Sequence, residues 1–242
     1  MIDFHSHILP GIDDGSDCVE TSLAMLRESY RQGVDVICAT SHFYADEENP
    51  ASFLANRAEA YDRLQEAIGD RPGFPKILLG AEILYFPGIS VADEVRNLCL
   101  EGTPFLLIEP PMMPWSDTML DEIESCVQSL HCLPVIAHID RYMRILNDYT
   151  LFDRVRDRRL LIQVNASFFL HRSSIDLALS SLEAGDFHFI GSDCHNMENR
   201  APNLGYAAQV IRENGGEESF QRLHAHLYKI LKIEQEPEIH WE

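Results

Sequence analysis

Two histidines two residues apart open the chain, in the stretch Met1-Ile2-Asp3-Phe4-His5-Ser6-His7. On a strand, side chains two apart project to the same side, so both imidazoles converge on one point. That geometry suits a metal ion, for which neutral imidazole is the commonest ligand. The Pro10-Gly11-Ile12-Asp13-Asp14-Gly15 that follows is turn chemistry, so a carboxylate, foremost Asp14, can fold back towards the pair. An H-x-H pair alone is as readily two ordinary hydrogen-bonded histidines, and the rest of the chain has to decide.

Further ligand-type residues recur at the ends of short apolar runs. Residues 34–40 lead to Ser41-His42, 76–81 to Glu82, 104–108 to Glu109, 134–137 to His138, and 188–192 to Asp193 and His195. A run at 160–164 ends in Asn165, a poor ligand. Between these runs apolar residues return at helical spacing: Val19, Leu23, Leu26 and Tyr30; Leu54, Ala58, Tyr61, Leu64 and Ile68; Leu120, Ile123, Val127 and Leu130. A helix is also expected near 90–101, and two more faces, at Tyr206, Val210 and Ile211 and at Phe220, Leu223, Leu227 and Leu231, close the chain. The tail from residue 233 to 242 is polar and expected to be peripheral.

Seven near-continuous apolar strands alternating with helices predict a parallel sheet covered on both faces. In such α/β folds the active site lies at the carboxyl ends of the strands, whether the sheet closes or stays open. Here six of the seven strands end in His or a carboxylate. Each residue singly has a bland explanation as a cap, an ion-pair partner or a core histidine. Gathered at one end they would bury charge at high cost without counter-ions, which favours metal.

Composition narrows the partners. The 242 residues suit one domain over 1–242, and 45% hydrophobic with 24% charged residues is ordinary for a globular protein. A formal net charge of −20 argues against nucleic acid or an anionic membrane surface as partner. Six scattered cysteines without C-x-x-C read as reduced thiols of a cytoplasmic protein. No apolar run reaches the ~18 residues of a transmembrane span, and Asp3 stands where a signal peptide would be basic.

The motifs taken together resemble a known group. His5-x-His7 with Leu-Pro-Gly-Ile-Asp-Asp-Gly, Thr40-Ser41-His42, Gly80-Ala81-Glu82, Ile108-Glu109, Ala137-His138-Ile139-Asp140-Arg141 and Gly191-Ser192-Asp193-Cys194-His195 are similar to the polymerase-and-histidinol-phosphatase (PHP) superfamily. The likeness is greatest to its bacterial protein-tyrosine phosphatases of capsule and exopolysaccharide loci, the CpsB/YwqE type. It implies a distorted (β/α)7 barrel of the PHP fold and a trinuclear centre held by His5, His7, Asp14, His42, Glu82, Glu109, His138, Asp193 and His195. It also implies that Arg141 and Arg200 bind phosphate, and that the substrate is a phosphotyrosine protein, a tyrosine kinase of polysaccharide synthesis.

The residues are consistent with that chemistry. Imidazole and carboxylate without thiolate suit Mn, Fe or Zn and do not choose among them; Mn is the first expectation. Four carboxylates against three dications leave about +2, the right sign for a phosphate dianion. Metal would bind phosphoryl oxygens and lower the pKa of a bound water for in-line attack. Phe43, Tyr44, Tyr85, Phe86, Met112, Met113 and Trp115, each a few residues past a ligand position, offer an apolar rim for a phenyl ring.

Other readings are a small-molecule phosphatase such as histidinol phosphatase, a non-enzymatic regulator, and a cysteine phosphatase, since Cys194 to Arg200 satisfies C-x5-R. That last loop holds no glycine to let backbone N–H groups wrap a phosphate, and it contains His195, which the metal reading needs. No motif names the kinase, the metal or the oligomeric state, and an oligomer stays open.

Overall fold

The computed structural model describes residues 1–233, so the expected polar tail lies outside the described residues from 234 onwards. In chain order the elements are β1 (Ile2–Ser6), α1 (Val19–Arg31), β2 (Val36–Ala39), β3 (His42–Phe43), α2 (Pro50–Ile68), β4 (Lys76–Leu79), β5 (Glu82–Leu84), β6 (Phe105–Glu109) and α3 (Asp117–Ser129). The second half has β7 (Leu133–Ile136), α4 (Ile139–Leu146), α5 (Leu151–Asp157), β8 (Leu161–Asn165), α6 (Ile175–Ala184), β9 (Phe189–Gly191), α7 (Leu204–Glu213) and α8 (Glu217–Ile230).

Every ladder is parallel, in the orders β1-β2-β4 and β3-β5-β6-β7-β8-β9. Two of the expected strands are therefore broken: 34–40 continues only as far as β2 before β3 resumes at His42, and 76–81 divides into β4 and β5. Single bonds carry the ladder across the breaks, Gly80 N donating to Ala39 O at 2.9 Å and Glu82 N to Ser41 O at 3.0 Å. A Ser6–Cys194 bridge, with Asp193 N donating to His5 O and His7 N to Cys194 O, joins β1 to the end of β9. The seven expected strand positions thus close into a distorted (β/α)7 barrel.

The seam between β1 and β9 is tight. A Cβ on Gly191 would lie 2.4 Å from the Cβ of His5, so only glycine lets the two strands meet there. Inside, Phe4 stacks on Phe189 at 3.8 Å between ring centroids, and Phe105 meets both edge-on. Ile2, Val36, Cys38, Leu78, Leu100, Leu107, Val135, Ala137 and Leu227 complete this cluster, against which Ile233 also packs. The larger apolar cluster lies under the helices.

Local chemistry sets the helix ends. Asn49 Oδ1 accepts from Ser52 N ahead of Pro50 at the start of α2, and Ser116 Oγ accepts from Met119 N at the start of α3. The helix expected near 90–101 is replaced by two 3-10 turns, Ile89–Val91 and Asp93–Leu98. Residues three apart eclipse one another in a 3-10 turn, which buries Val95 and Leu98 together. Among the described residues no helix is long and apolar enough to cross a membrane.

Candidate metal centre

All nine ligand-type residues named from the sequence meet at the carboxyl end of the barrel. The Glu82 carboxylate is central: Oε2 lies 3.0 Å from His5 Nε2, 3.2 Å from His7 Nε2 and 3.2 Å from His42 Nδ1, while Oε1 lies 2.8 Å from His138 Nε2. Glu109 reaches His138 Nε2 at 3.4 Å and His42 Nδ1 at 3.8 Å. Asp193 Oδ1 stands 3.5 Å from His7 Nε2 and 3.7 Å from His5 Nε2. Asp14, though largely exposed, holds Oδ1 3.3 Å from His195 Nε2 and 3.5 Å from His42 Nε2. Two members, His138 and Asp193, have positive φ (31° and 54°), a conformation costly for residues other than glycine and frequent at functional sites.

The arrangement asks for cations. His5 Nε2 and His7 Nε2 face one another at 3.1 Å beside the Glu82 carboxylate, so three ligand-type atoms converge. Burial alone would lower the His7 pKa, yet hydrogen bonds to Asp13 and Glu82 raise it to about 10. Burial likewise opposes the charge on His138, which hydrogen bonds to Glu109 and Glu82 nevertheless bring up to about 9. Burial takes His195 down to about 3, and its buried Nε2 has no hydrogen-bond partner. Three overlapping groups bring ligand atoms within 4.8 Å of one another: His7, Asp14, His42 and His195; His5, His7 and Asp193; His42, Glu82 and Glu109. Imidazole and carboxylate in this mixture fit divalent cations.

Several supporting residues escape the sequence reading. Asp13, beside the expected Asp14, orients the His7 ring from behind, its Oδ2 lying 2.8 Å from Nδ1 and also accepting from His42 N at 2.9 Å. Gln163 Oε1 lies 3.2 Å from His5 Nδ1. Asn165, passed over as a poor ligand, donates from Nδ2 to Asp193 Oδ2 at 3.0 Å. The available signal was a polar pair, Gln163 and Asn165, alternating on one face of an otherwise apolar strand.

Both arginines converge on Asp193. Arg141 Nη2 donates to Oδ2 and Arg200 Nη2 donates to Oδ1 at 2.7 Å. The rim is narrower than the loop positions suggest, because Phe43 and Trp115 are core residues, packed edge-on against Phe53 and Tyr142. Tyr44 is only partly buried and stacks on His42 at 5.3 Å, Tyr85 and Phe86 are partly buried, and Met112 and Met113 are exposed. The C-x5-R spacing does not form a phosphate loop: Cys194 is fully buried, burial pushes its thiol pKa up, and Arg200 turns to Asp193.

A profile for capsular polysaccharide synthesis, CpsB/CapC, matches residues 1–231. The chain is also 32% identical over 239 residues to the tyrosine-protein phosphatase CpsB of Streptococcus agalactiae serotype V, covering 92% of this chain and 94% of the relative. The chain belongs to the CpsB/CapC family. Its similarity to the tyrosine-protein phosphatase YwqE of Bacillus subtilis is 30% over 226 residues, 90% of this chain and 86% of YwqE. A solved structure from the study of Bacillus subtilis YwqE and Streptococcus pneumoniae CpsB, described as metal-dependent tyrosine phosphatases, superimposes with a TM-score of 0.82 at 27% identity over 98% of both chains.

Proposed function

We propose that this CpsB/CapC-family protein is a metal-dependent protein-tyrosine phosphatase, a single domain over 1–242, acting in the cytoplasm on a tyrosine kinase of capsular or exopolysaccharide synthesis. The observation that carries the reading is the convergence of five imidazoles and four carboxylates on the face where Arg141 and Arg200 also stand. The names of the CpsB and YwqE relatives support the substrate class.

On this reading His5, His7, Asp14, His42, Glu82, Glu109, His138, Asp193 and His195 hold three divalent ions, manganese first, with iron or zinc as alternatives. When bound, the ions supply Lewis-acid charge and a nucleophilic water at neutral pH. The chain itself does the rest. Arg141 and Arg200 lend planar N–H donors to the phosphoryl oxygens as charge shifts in the transition state. Tyr44, stacked on His42, presents an aromatic face beside the site for the phenyl ring. A phenolate with an ordinary pKa near about 10 leaves without strong acid help.

Elemental analysis of purified protein, combined with turnover of a phosphotyrosine peptide and of histidinol phosphate, tests the proposal. Bound metal, loss of turnover on chelation, recovery with Mn²⁺ and a preference for the peptide are expected. Full activity in verified metal-free protein would end the metal reading, and a large preference for histidinol phosphate would replace the substrate.

A further inference from the structure

We infer that Gln163 is a positioning residue of the metal centre, fixing the tautomer of His5 with a neutral acceptor where Asp13 fixes that of His7 with a charged one. The inference rests on the metal reading and adds to it a residue that the ligand pattern does not contain.

Gln163 is fully buried on β8, and two backbone groups settle which way its amide points. Oε1 receives the His138 backbone N–H at 2.6 Å, and a backbone N–H can only donate. Nε2 donates to the Val164 carbonyl at 2.7 Å, which can only accept, and to Asn165 Oδ1 at 3.0 Å. With the oxygen so placed, the His5 Nδ1 that faces it at 3.2 Å carries the proton. In the neutral ring Nε2 is then the nitrogen with the lone pair, and it is the one that faces Glu82 and His7.

Asp13 does the matching work for His7 but as an anion. Its two oxygens are held by the backbone N–H groups of His42 and Gly15, at 2.9 and 3.0 Å, so it is anchored independently of the ring it orients. A carboxylate behind a ligating imidazole raises its basicity, whereas an amide orients without adding charge. Gln163 also reaches a third strand, because the Asn165 it binds donates to Asp193. One neutral side chain therefore ties ligand positions on β1, after β7 and after β9, and leaves the centre's positive charge free for an anion.

The test uses the full chain freed of metal by chelation and titrated with Mn²⁺, the free ion being read by electron paramagnetic resonance. In Gln163→Leu, Mn²⁺ affinity is expected to fall about 10–100-fold at one or more sites. Long-range ¹H–¹⁵N spectra of the metal-free protein should show His5 lose its single Nδ1–H tautomer. Parent-like affinity and an unchanged tautomer in folded Gln163→Leu would overturn the inference. Should that variant not fold, Gln163→Glu decides: tighter Mn²⁺ and weaker inorganic phosphate binding support the inference, and parent-like values for both overturn it. A parent that takes up no Mn²⁺ refutes the metal reading itself, whereas a parent that binds and variants that match it refute only the role of Gln163.

Discussion

Loading the centre with Mn²⁺ must displace protons from His7 and His138. Despite burial, which works against their charge, the neighbouring carboxylates hold these two rings at about 10 and about 9. At pH 7 both are protonated in the metal-free protein, about three and about two pH units below their midpoints, and the protons must leave before Nε2 can ligate. That competition weakens apparent affinity at pH 7 relative to pH above 10, and because Glu82 supports the charge on both rings the two contributions are not additive. Apparent Mn²⁺ affinity should rise with pH by about one log unit per pH unit for each protonated ring that an ion displaces, then flatten as each midpoint is passed. Stability of the metal-free form runs the other way. Raised pKa values stabilise the fold below about pH 6.5, and that contribution is lost as pH climbs through 9 to 10. Mn²⁺ titrations at three pH values, with proton release followed in weakly buffered solution, check the slope. Full Mn²⁺ uptake with a slope under about half a log unit per pH unit and no proton release would refute the reasoning.

Arg141→Ala and Arg200→Ala should each lower kcat by about 100–1000-fold, the usual loss for one preorganised donor, with metal content near that of the parent. Since both guanidinium groups also neutralise Asp193, a loss of metal instead of turnover would assign them to the ligand and not to phosphate. Cys194→Ser should keep kcat within a few-fold, while its buried hydroxyl costs about 1–3 kcal/mol and lowers Tm by several degrees. Asp193→Ala or His195→Ala should lose metal and activity together, and a dead, metal-replete Cys194→Ser would point to a phosphocysteine. Gly191→Ala should open the β1–β9 seam, since its Cβ would fall 2.4 Å from that of His5; circular dichroism and Mn²⁺ content would register the damage, and a parent-like variant would show that the seam yields.

The local chemistry of the chain decided a good deal. Residue type at the end of an apolar run is a property of a few neighbouring positions, so His42, Glu82, Glu109, His138, Asp193 and His195 could be named before any fold was drawn. Short, near-continuous apolar runs alternating with stretches of helical periodicity placed those ends on one face of a parallel sheet. Tertiary structure decided what depends on distant partners. Asp13 and Asp14 are adjacent and chemically identical, and only the packing of their loop against the His42 backbone turns one towards His7 and leaves the other exposed beside His195. The breaks at 40–41 and 80–81 interrupt two paired strands at the same level, β2 with β4 before them and β3 with β5 after, a match that no single segment encodes. Whether Phe43 and Trp115 line a rim or fill a core is settled by the side of the strand or loop they present, and burial is a property of the assembled barrel. Gln163 reads only as half of a polar pair with Asn165 in an apolar strand until folding sets its amide between His5 and the His138 backbone. A hydrogen bond spanning 158 residues exists only once the chain has closed on itself.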